Sequence, residues 1–149
     1  EDTPAGITIH LMDEGIDSGP VLAQKEINYG FEDDAGSLYE KLEVEQFNLF
    51  KEIWPKFKEG SITPKKQQGN ATIHKKKDFK DLWKIDLDAT YKAEDFIKLL
   101  RALTFSPFKN AFVQKDGKKY YIEIKISTEK NKKNKDKKWL IPDYGSEKH

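Results

Sequence analysis

The sequence predicts an α/β chain, and three observations carry that reading. Two short runs rich in β-branched and apolar residues, 7–12 and 21–27, flank a stretch holding two glycines and a proline. Apolar residues then recur at the helical period, from Leu38 to Phe57 and again from Phe96 to Leu103. An Asp-Gly pair at 116–117 separates two strand-like runs, the pattern of a tight hairpin.

Taken in order, residues 7–12 read as a buried strand and 13–20 as a loop by composition. Residues 21–27 read as a second strand. Asp33 to Gly36 prepare a helix, and Ser37 with Glu40 three residues later fits a capping box, each side chain satisfying an orphan backbone donor. The stripe of Leu38, Leu42, Leu49, Ile53 and Phe57, with Phe50 and Trp54 beside it, predicts a core-facing helix over 37–60. Pro55 has no N–H to donate, which predicts a break there; Gly60 marks the end. Residues 61–90 are polar and read as irregular.

A second helix is expected over 93–104, with Phe96, Leu99, Leu100 and Leu103 on one face and Ser106–Pro107 stopping it. The hairpin follows. Its second run, 120–126, sets Tyr120, Ile122, Ile124 and Ile126 on one face against Tyr121, Glu123 and Lys125 on the other. A lone hairpin is marginal in water, so that apolar face needs cover, from the second helix or from another copy of the chain. Residues 129–138 form a Lys/Asn-rich loop of low expected order, and 139–142 a short last strand.

Composition narrows the function. Nine Phe, six Tyr and three Trp in 149 residues argue against disorder despite 36% charged residues, and 36% hydrophobic residues suffice for one modest core. No apolar run approaches the ~20 residues of a membrane helix. Without cysteine there is no disulfide, thiolate zinc site or cysteine nucleophile. The net charge of +1 hides an asymmetry: residues 1–60 hold 5 Lys against 14 Asp or Glu, and 115–138 hold 10 Lys against 4. That distribution argues against a global nucleic-acid field and leaves a local basic patch or a solvated loop.

Phosphate loops, serine elbows and paired-histidine zinc motifs are missing, and His10, His74 and His149 support no metal site. The informative segment is the first loop. It gathers Asp13, Glu14 and Asp17, with Gly15 and Gly19 permitting sharp turns. Carboxylates at a strand end can act as a base or orient a histidine; an acidic turn is the plainer alternative.

The run GITIHLMDEGIDSGPVLAQ over residues 6–24 resembles the signature strand–loop–strand of the 10-formyltetrahydrofolate-dependent formyltransferases. The resemblance continues through WPKFKEG at 54–60, QQGNATIHKKKD at 67–78, IDLD at 85–88 and FIKLLRAL at 96–103, and fades after about residue 125. It implies a Rossmann-like sheet, of which this chain holds the C-terminal part (1–104), followed by a small β subdomain with the hairpin (105–149). It implies that Asp17 is the catalytic aspartate, that Asp13, Glu14, Gly15 and Ile16 border the pterin pocket, and that 10-formyltetrahydrofolate is the formyl donor with no metal. His74 and Lys76 then lie near the acceptor or at a subunit contact, unless their segment is simply a solvated loop.

The family's Asn-x-His pair has no counterpart here, and the abrupt start suggests an internal piece of a longer chain, inactive alone. The stretch around 68–78 is more similar to the nucleotide-sugar enzymes, implying a nucleotide-linked amino sugar as acceptor, a homodimer, and a cytoplasmic protein with neither membrane nor nucleic-acid partner. A methionyl-tRNA formyltransferase and a non-catalytic assembly module remain the alternatives.

Overall fold

The computed structural model describes residues 4–68 and 75–129. The chain runs β1 (Ala5–His10), β2 (Val21–Ile27), α1 (Ala35–Lys58), α2 (Lys76–Asp81), α3 (Ala93–Leu103), β3 (Thr104–Phe105), β4 (Phe108–Lys109), β5 (Phe112–Lys115) and β6 (Lys118–Tyr121). The strands pair in sequence order into three antiparallel two-stranded ladders. No helix among the described residues is long and apolar enough to cross a membrane. Residues 130–138 of the loop expected over 129–138, and the strand expected at 139–142, lie outside the described residues.

The β1–β2 ladder pairs Ala5 with Ile27 through Ile9 with Ala23, then slips one residue so that His10 faces Val21. The 61–90 stretch is less irregular than its composition implied. It supplies α2, and Lys65 bridges back onto Val21 with paired backbone bonds of 2.7 and 2.8 Å.

The helix over 37–60 forms, with three differences from expectation. Asp34, not Ser37, is the N-cap: its Oδ1 accepts from the Ser37 amide at 2.9 Å, and Ser37 Oγ accepts from the Asp34 amide at 3.1 Å. Ser37 therefore closes the capping box from the third helical position, because the extended residue with a carboxylate comes earlier. Second, α1 passes straight through Pro55 to Lys58. The proline lies in the last turn, where it removes a single donor, and its carbonyl still accepts from Glu59 at 3.1 Å.

Third, the aromatic stripe is not core. Leu49 and Ile53 are buried, but Phe47, Phe50, Trp54 and Phe57 are exposed. Phe50, Trp54 and Phe57 pack on one another instead, Trp54 stacking on Phe50 at 5.4 Å and on Phe57 at 6.0 Å between centroids. A helix lying on a two-stranded ladder has too narrow a floor to cover the whole stripe.

The second centre of packing joins α3 to the hairpin. Ile85, Leu100, Leu103 and Ala111 are buried together, with Trp83, Phe96, Leu99, Val113, Ile122 and Ile124 against them. Asp116 and Gly117 both take positive φ, 51° and 73°, the geometry a two-residue hairpin turn requires. Pairing ends at Tyr121 rather than running to 126, yet alternation persists: Ile122, Ile124 and Ile126 are half-buried while Glu123 and Lys125 are exposed. Beyond Tyr121 the chain is held by Ile122 N–H on the Ala111 carbonyl at 2.9 Å and Ile124 N–H on Thr104 Oγ1 at 3.1 Å. Tyr120, placed on the apolar face from sequence, is exposed.

Candidate active-site loop

The loop between β1 and β2 is pinned at its base, where the Leu11 amide donates to the Pro20 carbonyl at 2.9 Å. Gly19 is buried beneath it. A β-carbon there would stand 1.7 Å from the Leu11 carbonyl oxygen, so only glycine fits.

Asp13 organises the inside. Its Oδ1 accepts from Ser18 Oγ at 2.7 Å and from the Gly15 amide at 3.0 Å. These bonds, led by Ser18, stabilise the ionised carboxylate and hold its pKa below the ordinary aspartate range. Asp13 is thus turned onto its own loop, while Met12, Glu14 and Ile16 are exposed around the rim. Met12 and Ile16 are 95% and 91% accessible, unusual for apolar side chains.

Asp17 lies in the loop with φ 53°, the left-handed region that few non-glycine residues enter and that aspartate tolerates better than most. Its side chain is 88% exposed, and His10 Nε2 lies 3.7 Å from Oδ1. His10 Nδ1 is 2.8 Å from the Leu11 carbonyl and must donate to it. Nε2 is then the nitrogen that faces the carboxylate, and it carries a proton toward Asp17 only as imidazolium. His10 also lines an open cavity of about 470 Å³ with Thr8, Ile9, Gln46, Phe47 and Phe50. A free carboxylate beside an imidazole can take up a proton or stabilise a cation.

The structure brings Asp13, Glu14, Gly15, Ile16 and Asp17 together on one loop. Lys76 begins α2, exposed, and no described contact joins it to that loop. His74 lies outside the described residues. Sequence reasoning passed over His10, weighed only as a metal ligand, and Gln67, whose Nε2 donates to the carbonyls of both Asp17 and Gly19 at 2.7 Å. No group of three or more His, Asp or Glu among the described residues could hold a metal ion.

Comparison with known proteins points to the formyltransferases. The family model described as formyl transferase matches residues 2–53, and that described as N-formyltransferase dimerization C-terminal domain matches 78–128. A dTDP-4-amino-4,6-dideoxyglucose formyltransferase of Mycobacterium bovis is 35% identical over 126 residues, 84% of this chain and 54% of that protein. A methionyl-tRNA formyltransferase of Thermodesulfovibrio yellowstonii is 46% identical over 81 residues, 52% of this chain and 26% of that protein.

Among solved structures, a 4-N formyltransferase from Francisella tularensis is similar with a TM-score of 0.80 at 28% identity, over 85% of this chain and 52% of that one. A formyltransferase from Anoxybacillus kamchatkensis, solved with UDP-4,6-dideoxy-4-formamido-L-AltNAc and tetrahydrofolate, has a TM-score of 0.51 at 37% identity, over 54% of this chain and 43% of that one. The chain spans about half the length of the amino-sugar formyltransferase it matches. With a Rossmann-like fragment followed by a small β subdomain, it belongs to the formyltransferase family.

Proposed function

We propose that this chain supplies the carboxylate arm of an enzyme that transfers a formyl group from 10-formyltetrahydrofolate to the amino group of a nucleotide-linked amino sugar, within a protein of its relatives' length. One observation carries the reading: Asp17, in the matched family segment, sits in the loop in a left-handed conformation with its carboxylate exposed beside His10. The amino-sugar relative and the structure bound to a formamido nucleotide sugar and tetrahydrofolate support the acceptor and the donor.

In the reaction the acceptor amine attacks the formyl carbon, a C–N bond forms, and the carbonyl electron pair moves onto oxygen. Collapse of that tetrahedral adduct breaks the bond to the folate nitrogen, which takes up the proton that the attacking amine gives up. The attacking nitrogen must shed a proton, and Asp17 is the acceptor, directly or through water. The donors that stabilise the oxyanion come from outside this chain, whose sequence holds no Asn-x-His. Ile16 and Met12 offer apolar edges for a pterin, Asp13 fixes Gly15 beneath them, and Glu14 completes the rim. In this reading Lys76 and His74 are assigned to the acceptor's phosphates or to a subunit contact.

The hairpin segment joins two copies into a homodimer; the dimerization domain matched over 78–128 supports this.

Asp17→Asn in the full-length protein is the test. Turnover with an amino-sugar nucleotide should fall at least about a hundredfold, with little change in melting temperature, since the side chain is exposed. Near-normal turnover overturns the reading. The methionyl-tRNA relative defines the other outcome: formylation of charged tRNA, with affinity falling steeply as salt rises.

A further inference from the structure

We propose that Gln67 is the positioning residue of Asp17, an inference that rests on the reading of Asp17 as the proton acceptor. Gln67 is separated from the loop by about fifty residues of sequence, yet its single amide nitrogen bonds to the carbonyls of Asp17 and Gly19, each at 2.7 Å. A primary amide nitrogen carries two hydrogens, so both are used, and no other Gln67 atom could serve two carbonyl acceptors.

The backbone delivers it there. The antiparallel bridge between Val21 and Lys65 docks the 61–68 segment on β2, and Gln67 follows two residues later.

The other ties of the loop leave this task undone. The Leu11–Pro20 bond closes the base, and the Asp13 carboxylate fixes Gly15 and Ser18. Neither acts on the peptide that follows Asp17, whose orientation sets where the left-handed residue aims its side chain. Because that side chain is 88% exposed, packing does not place it either, and His10 Nε2 stands 3.7 Å away, beyond hydrogen-bond distance. Gln67 fixes the peptide after Asp17 and the one after Gly19 together, which holds the turn in one geometry. Without those two bonds the turn can relax, and the carboxylate leaves the position from which it meets the reacting amine. Misplacement by about 1 Å is enough to slow a reaction by ~10²-fold.

The test uses the full-length protein. Gln67→Glu keeps the shape and removes both donors, whereas Gln67→Lys restores donors at similar reach. Gln67→Glu should lower kcat by roughly ten- to a hundredfold, leave KM for either substrate within about twofold, and leave Tm within a few degrees. Gln67→Lys should recover a large part of kcat. A Gln67→Glu kcat within twofold of wild type overturns the proposal. So does a loss shared equally by the Glu and Lys variants with a large fall in Tm, which marks a merely structural tie.

Asp17→Asn measured in parallel separates the two ideas. If it is as active as wild type, the reading of Asp17 fails and the role of Gln67 with it. If it is inactive while Gln67→Glu is normal, only the role of Gln67 fails. One readout needs no variant: side-chain amide protons of Gln67 in the wild-type protein should exchange with solvent at least about tenfold more slowly than those of the exposed neighbour Gln68, and equal rates overturn the proposal.

Discussion

Arg101 on α3 clasps the turn before α1: its Nε donates to the carbonyl of Asp33 and a terminal nitrogen to that of Gly30, each at 2.7 Å, with the guanidinium 5.1 Å from the Phe31 ring centre. Both contacts cross about seventy residues of sequence, so this one side chain stitches the region matched by one family model to the region matched by the other. Tyr39 edge-on to Phe105 at 5.4 Å lies in the same seam.

Arg101→Ala should therefore lower unfolding stability by about 2–4 kcal/mol, because charge-assisted bonds are lost and two carbonyls in a sheltered turn lose their donor. Arg101→Lys should recover little, since a point charge does not reproduce the planar fork. Urea unfolding of the two variants checks this; a loss below about 0.5 kcal/mol for Arg101→Ala would show that water replaces the clasp.

The same turn predicts a pH dependence. The Asp33 carboxylate is buried, which by itself raises its pKa. Bonds from Lys41 Nζ at 2.6 Å, the Gly30 amide at 2.7 Å and Ser37 Oγ at 2.8 Å outweigh burial, so the pKa lies below the ordinary value. A carboxyl held low in the folded state adds stability at pH above its unfolded pKa, and that stability is lost as pH falls through the folded pKa. Asp33→Asn should thus be less stable than wild type at pH 7, and the gap should narrow progressively as pH falls below about 4. A gap independent of pH between 7 and 3 would assign the effect to the hydrogen-bond geometry rather than to the charge.

On α1, the prediction is a contrast along one helix. Leu49→Ala or Ile53→Ala should cost about 2–5 kcal/mol, because both side chains are buried. Trp54→Gln in this chain should cost far less, about 1 kcal/mol, because Trp54 loses only its stacking on Phe50 and Phe57. Equal losses at Ile53 and Trp54 would mean that the stripe is covered in solution.

Those outcomes bear on how much was legible in the sequence. Element type came through wherever a local pattern set it: β2 begins and ends where its β-branched and apolar run does, and the Asp116–Gly117 turn follows from residues that tolerate positive φ. Burial did not come through for α1, because periodicity tells which residues share a face but not how wide the floor beneath it is. The cap was misplaced by three residues because Asp33, Asp34 and Ser37 all have suitable oxygens, and Arg101, far along the chain, settles which carbonyls are held. In the loop, the carboxylates were legible as a cluster. The inward turn of Asp13 and the grip of Gln67 were not, since a side chain bonding to backbone carbonyls leaves no pattern of its own.

The hairpin turn gives a clean backbone test. Gly117 has φ 73°, and a β-carbon there would meet no atom within 4 Å, so space is not the constraint. Gly117→Ala should still destabilise by about 1–2 kcal/mol, from the left-handed conformation alone. A neutral or stabilising substitution, by thermal unfolding, would show that the turn shifts type to accept a side chain.

The last prediction concerns what covers the hairpin. Ile122 and Ile124 already pack on Ile85, Leu100 and Leu103 within one chain, so the proposed dimer cannot depend on those side chains being free. Ile124→Lys should then destabilise the monomer by about 2 kcal/mol or more, whatever the oligomeric state, because a charge enters a packed cluster. The groups left for a partner are on the outside: Tyr120 and Tyr121 are about half exposed, and Ile126 is half-buried beyond the end of β6. Tyr120→Lys should leave the fold intact and weaken self-association of the full-length protein at least tenfold in sedimentation equilibrium. A wild-type protein that sediments as a monomer at micromolar concentration ends the dimer reading. An undiminished dimer in Tyr120→Lys moves the contact away from that tyrosine.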